Sequence, residues 1–233
     1  MRGRKQASAV LLTVLGAVAS ALPARAVAYK IDPGRSTFAV LTHKAGIAAG
    51  LAHDHLIVAA APRVSLDFDR ERPEATKFSF VVAVDALEVD APGARAALEG
   101  RLRELGLQAG DLPPVPESDR KKVRAAMLGE SQLDGAKFPE IRAEVLGLER
   151  GAAPAADGKS AWTLVLQLTI RGRTLERRQP VTWSEKDGVL EAEIVAELRF
   201  KEFGIEPYST MLGAIRNDDR FHIYVKVVAR SAS

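Results

Sequence analysis

The chain has 233 residues, 47% of them hydrophobic and 27% charged, and no cysteine, so disulfides, thiolate metal sites and a cysteine nucleophile are excluded. Its formal charge of +3 becomes −1 once residues 1–26, with Arg2, Arg4, Lys5, Arg25 and no acid, are set aside. No basic footprint for nucleic acid belongs to the remainder, which is long enough to be held together by its core alone.

Residues 1–26 read as a signal peptide: a basic start, an apolar run from Ala9 to Leu22, and an A-x-A cleavage site at Ala24-Arg25-Ala26. The run is too short and wrongly flanked for a membrane anchor. Ala26-Val27-Ala28 offers a second cleavage site. The expectation is an exported, periplasmic or secreted protein with a single domain over 27–233.

From there the chain alternates apolar and polar residues. "STFAVLTH" is a first strand, "HLIVAAAPRVSLDFD" and "KFSFVVAVDALEVD" follow, and "EIRAEVLGLER" comes after a helical excursion. Residues Trp162 to Ile170 place Trp162, Leu164, Leu166, Leu168 and Ile170 on one face at period two. "TLERRQPVTWSE" is expected at a sheet edge, because Pro180 donates no ladder hydrogen bond. Asp187-Gly188 marks a tight hairpin. Leu190 to Phe200 and "FHIYVKVVA" alternate again, as half-buried antiparallel strands do.

The excursion covers about 94–130. Leu98, Leu102 and Leu105 fall at helical spacing from Ala94, and a second helix is expected from Ser118 as N-cap through Val123 and Met127. "GDLPPVPE" between them is a loop, and "GAAPAADGKS", from Gly151 to Ser160, is a hairpin connection. The even spacing of strands predicts an all-β barrel or sandwich.

Three of the four histidines lie close together: His43, His53 and His55. His53 and His55 share one face if a strand begins there, which is half of a Zn or Cu site. A structural role, with Asp54 or a backbone carbonyl fixing one ring, and polar contacts at a cavity mouth are the other readings. The residues after His55 supply no Glu in the cupin position. Asp67, Asp69, Glu71 and Glu74 read as a solvated turn, and Arg171 and Arg173 around Gly172 as a basic rim in water or against a lipid phosphate. Ser209-Thr210 has no nucleophile elbow around it, and no catalytic residue is assigned.

The segments "YKIDPGRSTFAVLTH", "LDGAKFPEIRAE", "LTIRG" and "FKEFGI" are similar in order and spacing to the YceI-like proteins. The resemblance implies a lipocalin-like antiparallel β-barrel of about eight strands, with the helical insertion between strands. It also implies a periplasmic carrier of a polyisoprenoid or similar lipid, without enzyme activity or cofactor. On that fold the residues expected to line the lumen are Phe38 and Val40, Phe78, Phe80 and Val82, Leu164, Leu166 and Leu168, Ile194 and Leu198, and Val225. The partners expected are an apolar lipid and, through amphipathic helices, a transient membrane contact, with no nucleic acid. Two alternatives stay open: a periplasmic metalloprotein, with His53, His55 and His43 as ligands, and an interaction module that docks a partner on Ala94–Met127.

Overall fold

The computed structural model describes residues 27–108, 110–151 and 160–232. The expected signal peptide and most of the Gly151–Ser160 connection lie outside them. In chain order the strands are β1 Val27–Ile31, β2 Thr37–Ala45, β3 His55–Ala59, β4 Arg63–Phe68, β5 Lys77–Ala83 and β6 Leu87–Val89. Two helices follow, α1 Pro92–Glu104 and α2 Glu117–Leu128, and then β7 Glu140–Arg150, β8 Ser160–Ile170, β9 Arg173–Lys186, β10 Val189–Arg199, β11 Ser209–Thr210 and β12 Ile215–Ser231.

Eight of these strands form a ring in the order β1-β4-β5-β7-β8-β9-β10-β12, antiparallel at every step. The ring closes where Tyr29 pairs with Ser231 and Ile31 with Ala229. Closure leaves these strands without a free edge except along the upper part of β9 and β10, which are not paired with each other above Thr182 and Glu193. Beside it, β2, β3 and β6 continue the sheet from the upper half of β12, and Val40, Ile57 and Leu87 on them line the same interior. "Upper" denotes the end that holds the Arg171-Gly172 turn.

Both tight turns have the sequence chemistry that their backbone demands. Asp187 and Gly188 have φ of 53° and 74°, and Arg171 and Gly172 have 49° and 70°, the paired positive values of a type I′ hairpin. A Cβ on Gly172 would meet the Phe138 ring at 2.5 Å, so glycine is required there twice over.

Strand β9 is not at an edge. It pairs with β8 along its length from Arg173 to Trp183 and with β10 from Thr182 to Lys186. The reasoning from Pro180 holds in a narrower sense, because above the Thr182↔Glu193 pair β9 and β10 part, and Pro180 sits in that unpaired stretch. In β7 the register shifts between Val145 and Gly147. The bulge throws Leu146 outward, 52% exposed, and returns Leu148 to the interior.

Helix α1 packs on the outside of the wall, whereas α2 packs against the cluster that includes the cavity-lining Ile57, Val82 and Leu87. Leu102, fully buried, packs with Ala39, Leu41, Leu56, Leu112 and Tyr224, and Leu98 and Leu105 lie against the same cluster. Arg101 of α1 donates to Glu193 through Nε at 2.9 Å and Nη2 at 2.5 Å, and the Tyr224 hydroxyl donates to the same carboxylate at 2.9 Å. Burial and that carboxylate push the Tyr224 phenol up to about 12. From α2, Val123, Met127 and Leu128 cover Val82, Val84, Leu87 and Val89. The start of α2 differs from the sequence expectation: Pro116, not Ser118, is the N-cap, and Ser118 lies inside the first turn. Proline suits this place because it lacks the N–H that would go unpaired. No helix of the described residues is long and apolar enough to cross a membrane.

Candidate functional site

Alternation in a closed barrel gives every strand an inward row. Phe38 and Val40 of β2, Phe78, Phe80 and Val82 of β5, Leu164, Leu166 and Leu168 of β8, Ile194 and Leu198 of β10, and Val225 of β12 all line one internal cavity. Its volume is about 220 Å³. On β10 the lining runs from Leu190 to Leu198, a span of about 26 Å at ~3.3 Å per residue. The space is therefore a long, narrow bore.

The upper end is plugged. Phe203 and Ile205, from the turn after β10, pack with Ile170, Leu198 and Phe221, and the Phe200 and Phe221 rings lie 4.7 Å apart. Arg171 holds this plug down by donating to the Gly204 carbonyl and, at 2.9 Å, to that of Glu130. The expected wet rim is thus a structural clamp at Arg171, and Arg173 lies across Gly204.

At the lower end the bore is lined by Phe68, Thr76, Leu148 and Trp183. The Phe68 and Trp183 rings meet at 4.9 Å with planes at 73°.

Polar groups in the lining are few: Thr76, Arg177, Gln179 and the indole N–H of Trp183. Two of them reach across from β9, one to β10 and one to the turn that follows it. Gln179 Nε2 donates to the Val195 carbonyl, and Arg177 donates to Glu202. The other two differ, since Thr76 Oγ1 and Trp183 Nε1 are shut off from solvent without a hydrogen-bond partner. Sequence reasoning missed all four. The signal for two of them was present, because "LERRQPV" interrupts an inward apolar row at Arg177 and Gln179.

The histidines do not converge. His43 Nε2 lies 2.7 Å from His222 Nδ1 on the outer wall, and Glu197 stands 3.6 Å from the other nitrogen of His222. Burial, then the His43 charge, holds His222 below the ordinary histidine range against the pull of Glu197. His53 is exposed. Asp54 accepts from the Lys44 backbone N–H at 2.8 Å and holds no imidazole.

His55 is held by Asp90, a residue the sequence did not suggest, at 2.7 Å. Asp90 also accepts from the Leu56 N–H at 2.9 Å and from Arg95. Arg95 in turn reaches the Asp54 carbonyl at 3.1 Å. Among the described residues, no three His, Cys, Asp or Glu side chains gather as a metal would require. In the acidic turn, Asp69 accepts from the Glu71 and Arg72 N–H groups at 3.0 and 3.1 Å, which makes it a turn cap.

A closed antiparallel barrel with a helix on its outer wall and an apolar bore is of the lipocalin-like class. The family profile described as the YceI-like domain matches residues 29–229, and the chain belongs to that family. Solved structures share the fold at low identity. BcnA of Burkholderia cenocepacia has a TM-score of 0.59 at 12% identity, covering 85% of this chain and 99% of its own. A polyisoprenoid-binding domain from Saccharophagus degradans, described as implicated in plant cell wall breakdown, has 0.53 at 8%, covering 88% and 99%. The YceI protein of Campylobacter jejuni has 0.50 at 11%, covering 76% and 85%. No curated protein matches the chain in sequence.

Proposed function

We propose that the protein is an exported, non-catalytic carrier that holds a long apolar lipid, of polyisoprenoid or similar kind, in the barrel lumen. The observation that carries this reading is the bore itself, apolar from Leu190 to Leu198 along β10 and walled mostly by aliphatic and aromatic side chains. Burying a chain at about 0.8 kcal/mol per methylene supplies affinity without a polar recognition site. Family membership and the polyisoprenoid-binding domain of similar fold support the same reading.

Export to the periplasm or medium rests on the N-terminal pattern of basic, apolar and small residues. A transient membrane contact is supported at the upper end of the barrel. There Ile47 is 98% exposed, Leu51 75%, Met211 63% and Leu212 fully so. The two loops that carry them are joined by the Ala48 N–H to Ala214 carbonyl bond at 2.9 Å, and no Lys, Arg, Asp or Glu occurs in 45–53 or 207–215.

Native mass spectrometry of untagged protein, purified without detergent, tests the carrier reading. A bound mass of several hundred daltons that leaves on denaturation is expected. A mass shift near that of one Zn or Cu ion, with no organic ligand, would overturn it.

A further inference from the structure

We propose that the parted stretch of β9 and β10 is a side entrance to the lumen, a seam through which the lipid enters and leaves, latched by Gln179 and by the Arg177–Glu202 ion pair. This rests on the carrier reading above and adds a route to it.

The seam follows from the ladders. β9 and β10 pair from Lys186↔Val189 to Thr182↔Glu193 and no further, while β8 stays beside β9 as far as Arg173 and β12 beside β10 as far as Arg199. Each strand keeps one neighbour there and faces the other across an unpaired gap. Both flanks of the gap are walls of the bore: Arg177, Gln179 and Val181 on β9, and Ile194, Ala196 and Leu198 on β10.

The gap also meets solvent. Arg177 lines the bore, yet its side chain is 32% exposed, and that of its partner Glu202 is 34% exposed. The boundary between lumen and water therefore runs through these two side chains. The ends of the bore are tighter: the plug residues Phe203, Ile205 and Phe221 are buried at the upper end, and Phe68, Thr76 and Leu148 at the lower.

Side chains, in place of a backbone ladder, cross the seam. Gln179 Nε2 donates to the Val195 carbonyl, and Arg177 donates to Glu202. Glu202 Oε2 also accepts from the Arg199 N–H at 3.0 Å, so the ion pair ties β9 to the turn that begins the plug. A side-chain hydrogen bond has a small net worth, and a partly exposed ion pair is weaker still. The wall therefore opens here at little cost, and parts that admit ligands are drawn from such weakly held places.

The chain has no cysteine, so a pair of thiols can be introduced at chosen points. Continuing the register of Thr182↔Glu193 sets Arg178 opposite Glu197, and both are exposed and absent from the lumen lining. In the double variant Arg178→Cys, Glu197→Cys, a short bifunctional thiol reagent staples the seam from outside, and mass spectrometry verifies the bridge. The probe is retinol, an isoprenoid alcohol whose fluorescence reports apolar surroundings, with uptake followed by stopped flow and release by transfer to phosphatidylcholine vesicles. Stapling is expected to slow both by about 10-fold or more, as when opening becomes the limiting step. A monofunctional reagent on the same thiols should leave both rates unchanged, and retinol loaded before stapling should stay bound.

Glu202 does not line the bore, so Glu202→Gln tests the latch without a cross-link. Uptake and release should each rise by about 2- to 5-fold, the worth of a partly exposed ion pair, with Kd unchanged, because a gate alters both rates alike. A merely structural role would lower the melting temperature and leave the rates where they were. Exchange at the unaltered rate in the stapled protein or in Glu202→Gln would overturn the entrance and leave the carrier reading intact. Failure of the unaltered protein to take up retinol would overturn the carrier reading itself.

Discussion

The imidazole Nδ1 of His55 lies 2.7 Å from a carboxylate oxygen of Asp90, and the Asp90 side chain is fully buried. Together with Arg95, 2% exposed, this carboxylate fastens the start of α1 to the barrel wall. Removing one partner of such a pair leaves the other buried and uncompensated. Asp90→Ala is expected to cost ~3–5 kcal/mol of stability in chemical denaturation, and Asp90→Asn less, since an amide retains some of the hydrogen bonds.

The same carboxylate predicts an acid response. Burial pushes its pKa up, but the bonds from His55 and the Leu56 N–H and the nearby charges outweigh this and hold it below the ordinary range. A folded-state pKa that is depressed gives stability that is full above the unfolded value, ~3.9, and lost as pH falls through the folded one. Denaturation midpoints should drop below about pH 4, and the drop should shrink in Asp90→Asn.

A second, milder response belongs to His222. Its pKa is depressed by burial and by His43, opposed by Glu197, with Arg220 acting in the same sense as His43. The unfolded chain binds the proton more readily, so stability is full above ~6.5 and declines as pH falls toward the folded value. Stability measured at pH 7 and pH 5.5 should differ in the unaltered protein and differ less in His222→Gln. No difference at either pH would count against the pair.

In the bore, Leu166→Trp should weaken lipid binding while circular dichroism stays that of the unaltered barrel. Leu166 is only half-buried and faces open space, so added bulk obstructs the ligand rather than the core. On the outer wall the expectation reverses. Leu102→Ala removes a fully buried side chain from the α1 contact and should cost ~2–5 kcal/mol, with lipid affinity of the folded protein unchanged.

The parted stretch of β9 and β10 should be visible in hydrogen exchange. Neighbouring amides along an antiparallel strand point to opposite sides. From Ile194 to Arg199, where β10 keeps only its β12 partner, alternate amides should exchange fast. From Val189 to Glu193 both sets should be slow. Uniform protection along β10 would refute the opening.

These relationships also show which parts of the molecule could be read in advance. The eleven lumen residues follow from period-two alternation within single strands, which needs no knowledge of neighbours. The reading failed at β9, where Pro180 made a strand that is paired on both sides look like an edge. The Asp90 network and the Thr76–Trp183 end of the bore were illegible for a different reason. They depend on contacts between segments far apart in sequence, Leu56 with Asp90 along the sheet and Phe68 with Trp183 across the barrel, and nothing in either segment names its partner. The histidine cluster shows the converse: His43, His53 and His55 are near in sequence and go separate ways, His43 to His222 across the β2–β12 ladder and His55 to Asp90.

Closure of the ring joins Tyr29 to Ser231, and β12 also pairs with β2, β10 and β11. The first described strand thus waits for the last. During synthesis β1, β2 and β10 all emerge with an unsatisfied edge, and one segment at the far end of the chain satisfies all three. Contacts so distant in sequence make folding slow, on the order of milliseconds to seconds, and make the arrival of β12 the event that commits the chain to its fold.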